Sequence, residues 1–419
     1  MLEPALKHLV QCARLHQYVY RSSRSKGTSF ARLLSSSTSE LVVDDETDME
    51  DEYGDMNDSG LTYTTDELKL ECGEKLIQPQ LRYRSWGKLN EAKDNVIVVC
   101  HALTGNAALD DWWGSFLGKG LPFDTEKYFI VCSNLLGSCY GTTGPTSINP
   151  VTNEKYGSDF PHVTVRDGVR LQKLMLREQE GVESVKCVIG GSLGGMQTME
   201  WLFDDNDNHH KEGDRPYVRS AIPMACGLYH HTWQIATSEL QRQALYADPT
   251  FNNGKYKTIP KVGLSLARQI AMVSYRSHTA YDDKFGRRRI NEVGREVNET
   301  EVPLNAKFSV ENYLAYQGEK FVSRFDANSF ITLTKLMDTH NIGRDRDGID
   351  SAANSIKQPV HVIGIDSDVL YPICEQQDLA ESLPRGELTI VRNDDGHDGF
   401  LLAQDAIAPI ITQFLNEHN

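Results

Sequence analysis

Residues 95–100 (NVIVVC) and 128–132 (YFIVC) are short, continuous apolar runs rich in β-branched side chains. That is the pattern of strands buried on both faces. Residues 185–189, 218–224, 360–365 and 388–391 read the same way. Between these runs the period changes. Residues 166–180 carry Val169, Leu174 and Met175 at helical spacing, MQTMEWLF (196–203) follows a glycine cluster, and residues 406–415 form an amphipathic pattern. Buried strands alternating with helices predict a mainly parallel sheet with helices on both faces.

This rhythm breaks once. Between residues 227 and 357 strand signals fade, and stretches such as SELQRQALYA and LSLARQIAMVSYR read as helices. A helical insertion of this kind is expected over one end of the sheet, as a lid or binding wall. The expected organisation is a sheet-bearing body over 61–226 and 358–419, a helical lid over 227–357, and a leader over 1–60.

The leader differs in composition from the rest. Residues 1–40 are serine-rich and carry six Lys/Arg against Glu3 and Glu40, whereas residues 44–58 hold nine carboxylates and no base. The first part reads either as an organelle transit peptide or as a disordered extension with no address, and the second as a solvated linker. The expected location is therefore cytoplasmic or mitochondrial/organellar. The whole chain has a formal charge of −16, which argues against nucleic acid as a partner, because phosphate contacts need clustered cations. No apolar run is long enough for a membrane-spanning helix. The eight cysteines form no CxxC pair, so neither a zinc site nor a disulfide framework is expected, and a reducing compartment fits best.

The strongest chemical signal is Gly190-Gly191-Ser192-Leu193-Gly194-Gly195, a GxSxG directly after a strand run and before a helix. A serine on such a turn is exposed as a nucleophile, and the flanking glycines let the backbone turn and the helix pack closely. The plainer alternative is a glycine-rich turn whose serine caps the helix. A serine hydroxyl needs a base and an orienting carboxylate. Asp368, after strand VHVIGI, and His397, after ELTIV, follow in the order expected of an α/β-hydrolase fold, both at carboxyl ends of strands. Donors to the developing oxyanion are expected from the backbone N–H of Leu193 and of Leu103, the latter in the loop HALTGN. His101 is read as a brace of that loop.

Seven motifs in order, HALTGN, NLLGSCYGTTGPTSINP, GGSLGGMQTMEW, QRQALYADP, ARQIAMVSYRS, SDVLYP and GHDGFL, make the chain from about Leu68 onward resemble the homoserine O-acetyltransferases. The resemblance implies an α/β-hydrolase fold with a helical lid, and a homodimer joined through lid helices. It implies acetyl transfer from acetyl-CoA, as co-substrate with no further cofactor, to the side-chain hydroxyl of L-homoserine on the route to methionine. It places the triad at Ser192, Asp368 and His397, the oxyanion amides at Leu103 and Leu193, and the acceptor-binding residues at Arg268, Tyr275 and Asp398. An amino acid acceptor presents a carboxylate that a guanidinium can grip and an ammonium that a carboxylate can hold, which fits Arg268 and Asp398. Leu193 stands where many relatives have methionine, a swap that keeps the volume and the backbone donor. The alternatives within reach of the same machinery are a serine O-acyltransferase using acetyl or succinyl groups, an esterase or thioesterase, and a non-catalytic binding protein.

Overall fold

The computed structural model describes residues 59–203 and 216–418. The leader therefore lies outside the described residues, apart from its last two positions. Eight strands form one sheet: β1 (Leu61–Thr64), β2 (Gln80–Trp86), β3 (Val96–Cys100), β4 (Phe129–Ser133), β5 (Val185–Gly191), β6 (Ala221–Met224), β7 (Val360–Ile365) and β8 (Gly386–Val391). Their order across the sheet is β1-β2-β4-β3-β5-β6-β7-β8. β1 pairs with β2 and β2 with β4 antiparallel, and every other pairing is parallel.

The six parallel strands are those that the apolar runs predict, and for the five that are not at the edge burial explains the pattern; β8, at the edge, is largely half-buried or exposed. Along β3, Val96, Val98 and Cys100 enter one core, while Ile97 and Val99 enter the other. Both faces are covered, so no position of the strand is left for a polar residue. The antiparallel pair β1–β2 has no such signature. Only Tyr63 of β1 and Leu81 and Tyr83 of β2 are buried, so these segments carry no apolar run that would single them out.

Helices α1 (Val165–Glu178) and α2 (Leu193–Trp201) pack on the first core, and the long C-terminal helix Gln404–Glu417 on the second. α1 begins at Thr164, whose side chain accepts from the Asp167 N–H in a reciprocal capping box. Buried Glu200 on α2 pairs with Arg166 of α1 and with Arg346, tying the end of α2 to elements distant in sequence.

Between β6 and β7 the chain is mostly helical. Its helices are α3 (Thr232–Tyr246), α4 (Lys261–Tyr275), α5 (His278–Phe285), α6 (Ser309–Arg324), α7 (Ala327–Asp338) and α8 (Ile349–Ser355). A small hairpin, Arg289–Ile290 with Glu296–Val297, interrupts them. The sequence reading expects no strands here, because the two pairs of residues are too short to carry a period. No helix among the described residues is long and apolar enough to cross a membrane.

Candidate active site

Ser192 stands between β5 and α2 with φ +58° and ψ −124°, a conformation that non-glycine residues rarely adopt. The elbow is possible because its neighbours lack side chains. A Cβ on Gly194 would run into the Cys100 carbonyl at the end of β3, and one on Gly191 into the ring of Phe400. The turn therefore presses β5, α2 and the end of β3 together and presents Ser192 Oγ at the carboxyl edge of the sheet.

Two loops at the same edge complete the arrangement. Ser192 Oγ lies 2.8 Å from His397 Nε2, and His397 Nδ1 lies 2.7 Å from Asp368 Oδ2. The other carboxylate oxygen, Oδ1, accepts the backbone N–H groups of Leu370 and Tyr371, each at 2.8 Å. All three side chains are buried. With Nδ1–H donated to Asp368, Nε2 is left as the acceptor for the serine proton, which is the tautomer a general base needs. Asp366, two residues away, instead accepts from the Asn393 N–H at 3.1 Å and braces the exit of β8.

The imidazole is enclosed by rings. Tyr371 stacks on it at 5.2 Å between centroids, Phe400 meets it edge-on at 5.5 Å, and Tyr275 lies at 5.9 Å. Tyr371 Oη in turn bonds His230 Nδ1 at 2.9 Å, and burial holds the His230 ring down to about 3, so it is neutral. These faces fix the ring orientation, exclude water, and favour the imidazolium that forms when the serine proton is taken up.

The narrow cleft above Ser192 is lined by Leu103, Thr104, Arg268, Tyr275, His397 and Asp398, among others. Leu193 is the first residue of α2, so its N–H has no acceptor within the helix. Every side chain and amide that the sequence reading singles out thus lies at or beside one cleft. His101 also takes its expected place. Burial pushes its pKa down to about 4, and the neutral ring donates from Nδ1 to the Ala102 carbonyl at 2.8 Å.

Three functional neighbours were not read from the sequence. Tyr371 and His230 support the base from behind, and the only local signal was the position of Tyr371 inside the SDVLYP loop. Arg276 directly follows Tyr275, and its Nε lies 3.0 Å from Asp398 Oδ2, with Nη1 3.5 Å from Asp395. Arg276 stands inside the motif ARQIAMVSYRS, one residue past the end of α4, and that position is the available hint.

Residues 95–404 match the family model described as alpha/beta hydrolase fold. The chain is 46% identical over 355 residues to a homoserine O-acetyltransferase of Nostoc punctiforme, covering 83% of this chain and 93% of that protein. Among solved structures it superposes on the homoserine O-acetyltransferase of Bacillus anthracis with a TM-score of 0.74 and 24% identity, covering 85% of this chain and 97% of that one. Esterase E22 matches equally well, with a TM-score of 0.74, 24% identity and coverage of 85% and 99%. At that identity the two structures establish the fold alone. The extent and identity of the sequence match go further: the chain belongs to the homoserine O-acetyltransferase family, built on the α/β-hydrolase fold.

Proposed function

We propose that this protein moves an acetyl group from acetyl-CoA to the side-chain hydroxyl of L-homoserine, through an acyl-enzyme on Ser192. The observation that carries the reading is a formed Ser192–His397–Asp368 relay in the same cleft as one cation and one anion, Arg268 and Asp398, suited to a zwitterionic acceptor. The names of relatives at this identity support homoserine as the acceptor and acetyl as the group moved.

In the first half-reaction Ser192 Oγ attacks the thioester carbonyl as its proton passes to His397 Nε2. The negative charge on the carbonyl oxygen is held by the N–H groups of Leu193 and Leu103. The tetrahedral intermediate collapses by breaking the C–S bond, and His397 returns the proton to the leaving CoA thiolate. In the second half-reaction the acceptor hydroxyl gives its proton to Nε2 and attacks the acyl carbon. Collapse releases the O-acetyl ester and restores Ser192. Arg268 holds the acceptor carboxylate, with Tyr275 as its neighbour across a 5.9 Å cation–ring contact. Asp398 holds the ammonium while sharing its charge with Arg276.

L-Homoserine and L-serine differ by one methylene, which sets how far the hydroxyl reaches past these anchors. A misplacement of about 1 Å can cost roughly 10²-fold in rate. The test is a matrix of homoserine and serine against acetyl-CoA and succinyl-CoA, read as kcat/KM, with release of CoA thiol followed in the absence of acceptor. Homoserine with acetyl-CoA is expected to lead, with ping-pong kinetics and an acetyl mass on the peptide containing Ser192. A homoserine-to-serine ratio at or below unity overturns the acceptor. Continued CoA release without acceptor, at the full rate, indicates the esterase or thioesterase instead.

The same reading includes a homodimer through the insertion. Trp233 and Leu240 on α3, and Val262, Leu266 and Val273 on α4, are large, apolar and exposed. Apolar side chains concentrated on two adjacent helices favour cover by a second copy. Light scattering at micromolar concentration tests this, with a monomeric mass as the refuting result.

A further inference from the structure

The loop that carries Leu103 leaves the end of β3 with no secondary structure of its own, yet an oxyanion donor must be held to within a fraction of an ångström. Its carbonyls are gripped one after another. The His101 carbonyl accepts from Gln197 Nε2 of α2 at 3.2 Å. The Ala102 carbonyl accepts from the Gly105 N–H at 3.0 Å and from the His101 ring. The Asn106 carbonyl accepts from Trp112 Nε1 at 3.1 Å. These braces belong to the sheet-bearing body.

The grip on Thr104, the residue next to Leu103, has a different origin. Arg324, in the last turn of α6, donates from Nη1 to the Thr104 carbonyl at 3.0 Å and to Tyr140 Oη at 3.0 Å. Its guanidinium lies over the ring of Phe321, 5.0 Å from the centroid. Thr104 is 3% exposed and Tyr140 6%, so both acceptors are shielded from competing water. Arg324 itself is not among the residues lining the cleft.

We propose that Arg324 is a positioning residue for the oxyanion hole: it fastens the Thr104 carbonyl to the helical insertion, and so sets the aim of the Leu103 N–H. The proposal rests on the assignment of Leu103 as an oxyanion donor made above. The same guanidinium nitrogen also reaches Tyr140 Oη in the loop after β4, so one arginine touches the insertion, that loop and the oxyanion loop. The docked state of the insertion is thereby coupled to transition-state stabilisation rather than to substrate affinity.

The test compares Arg324→Ala, Arg324→Lys and Tyr140→Phe with the unmodified enzyme. Three quantities are read: steady-state kcat and KM, the rate of Ser192 labelling by a fluorophosphonate, and thermal stability. Labelling forms the Oγ–P bond, expels fluoride and passes through an oxyanion on phosphorus, so it needs the hole but neither thioester nor acceptor. Arg324→Ala is expected to lower kcat and the labelling rate together, by about 10–10²-fold, with both KM values within about 3-fold. Arg324→Lys recovers part of both. Tyr140→Phe, which leaves the Thr104 contact in place, stays within about 3-fold. A rise in KM with unchanged kcat and labelling makes Arg324 a substrate contact and overturns the proposal. Reduced stability with unchanged labelling makes it a plain brace, and equal losses in Tyr140→Phe remove the special role of Thr104. If Arg324→Ala does not fold, the lysine and phenylalanine variants still decide. If the unmodified enzyme fails to acetylate homoserine, the functional reading falls, while the labelling rates continue to report on Arg324.

Discussion

Replacing Asp368 by Asn changes one atom and tests the relay at its least exposed point. The structure dictates which way the new amide faces. Oδ1 accepts two backbone N–H groups at 2.8 Å, so the amide oxygen keeps that side and the NH₂ group turns toward His397 Nδ1. The reverse orientation loses two hydrogen bonds, about 1 kcal/mol each, and sets donors against donors in a buried site, about 1–3 kcal/mol more for each. Well under a tenth of the molecules can adopt it. With NH₂ facing Nδ1, the imidazole must present Nδ1 as acceptor and carry its proton on Nε2, where it cannot take the serine proton. The expected loss in kcat is roughly 10⁴-fold, equivalent to about 5.5 kcal/mol. Rapid-mixing measurement of CoA thiol release, with intact mass for the acetyl-enzyme, separates acylation from transfer, and both should slow. Asp366→Asn is expected to cost only a few-fold, since that carboxylate touches the Asn393 backbone and not the base. A loss below about 10-fold in Asp368→Asn, or a greater loss in Asp366→Asn, would refute the reasoning.

Two further variants probe the surroundings. Tyr371→Phe keeps the ring on His397 but strands a buried His230 nitrogen, so stability should fall by about 1–3 kcal/mol in denaturant unfolding while kcat stays within a few-fold; an unchanged midpoint would count against the bond. Glu375 is pushed up to about 7, chiefly by burial, against the usual value near 4.5. Its folded form therefore holds the proton longer than the unfolded chain, and its contribution to stability is lost as pH rises from about 4.5 to 7. Glu375→Gln should remove that slope and gain on the order of 1–3 kcal/mol over the parent at pH 8 relative to pH 5, and parallel pH profiles for the two proteins would reject it.

The legible parts of the structure were those whose physics is local. A strand buried on both faces is mostly apolar, so β3, β4 and β5 declared themselves, and GGSLGG, which starts in the last two residues of β5, placed the elbow. Asp368 and His397 followed because the ends of β7 and β8 were equally plain. β1 and β2 were not readable, because between them only Tyr63, Leu81 and Tyr83 are buried and too few positions are constrained. Contacts between distant residues left no local trace either. Nothing near Arg276 announces Asp398, and nothing near Arg324 announces Thr104, since each partner is chosen by how α4 and α6 dock. The hairpin within the helical insertion was lost for want of length.

The split of the site across the insertion has a kinetic consequence. Ser192 and His397 are separated by 205 positions, and β7 cannot pair with β6 until the whole run of helices between them has been synthesised. During that interval β6 is an open edge of entirely apolar strand, awaiting the partners that Val360 and Ile363 supply to Ala221 and Met224. Helices α3 to α8 form early from local contacts, whereas the parallel pairing is slow because the intervening loop must close first. A chain paired only as far as β6 has the Ser192 elbow but neither Asp368 nor His397 in place. Such a chain lacks the base for turnover and carries the aggregation hazard of an unpaired edge. Activity should lag behind the recovery of helical signal on refolding, and a chaperone that shields β6 should shorten that lag.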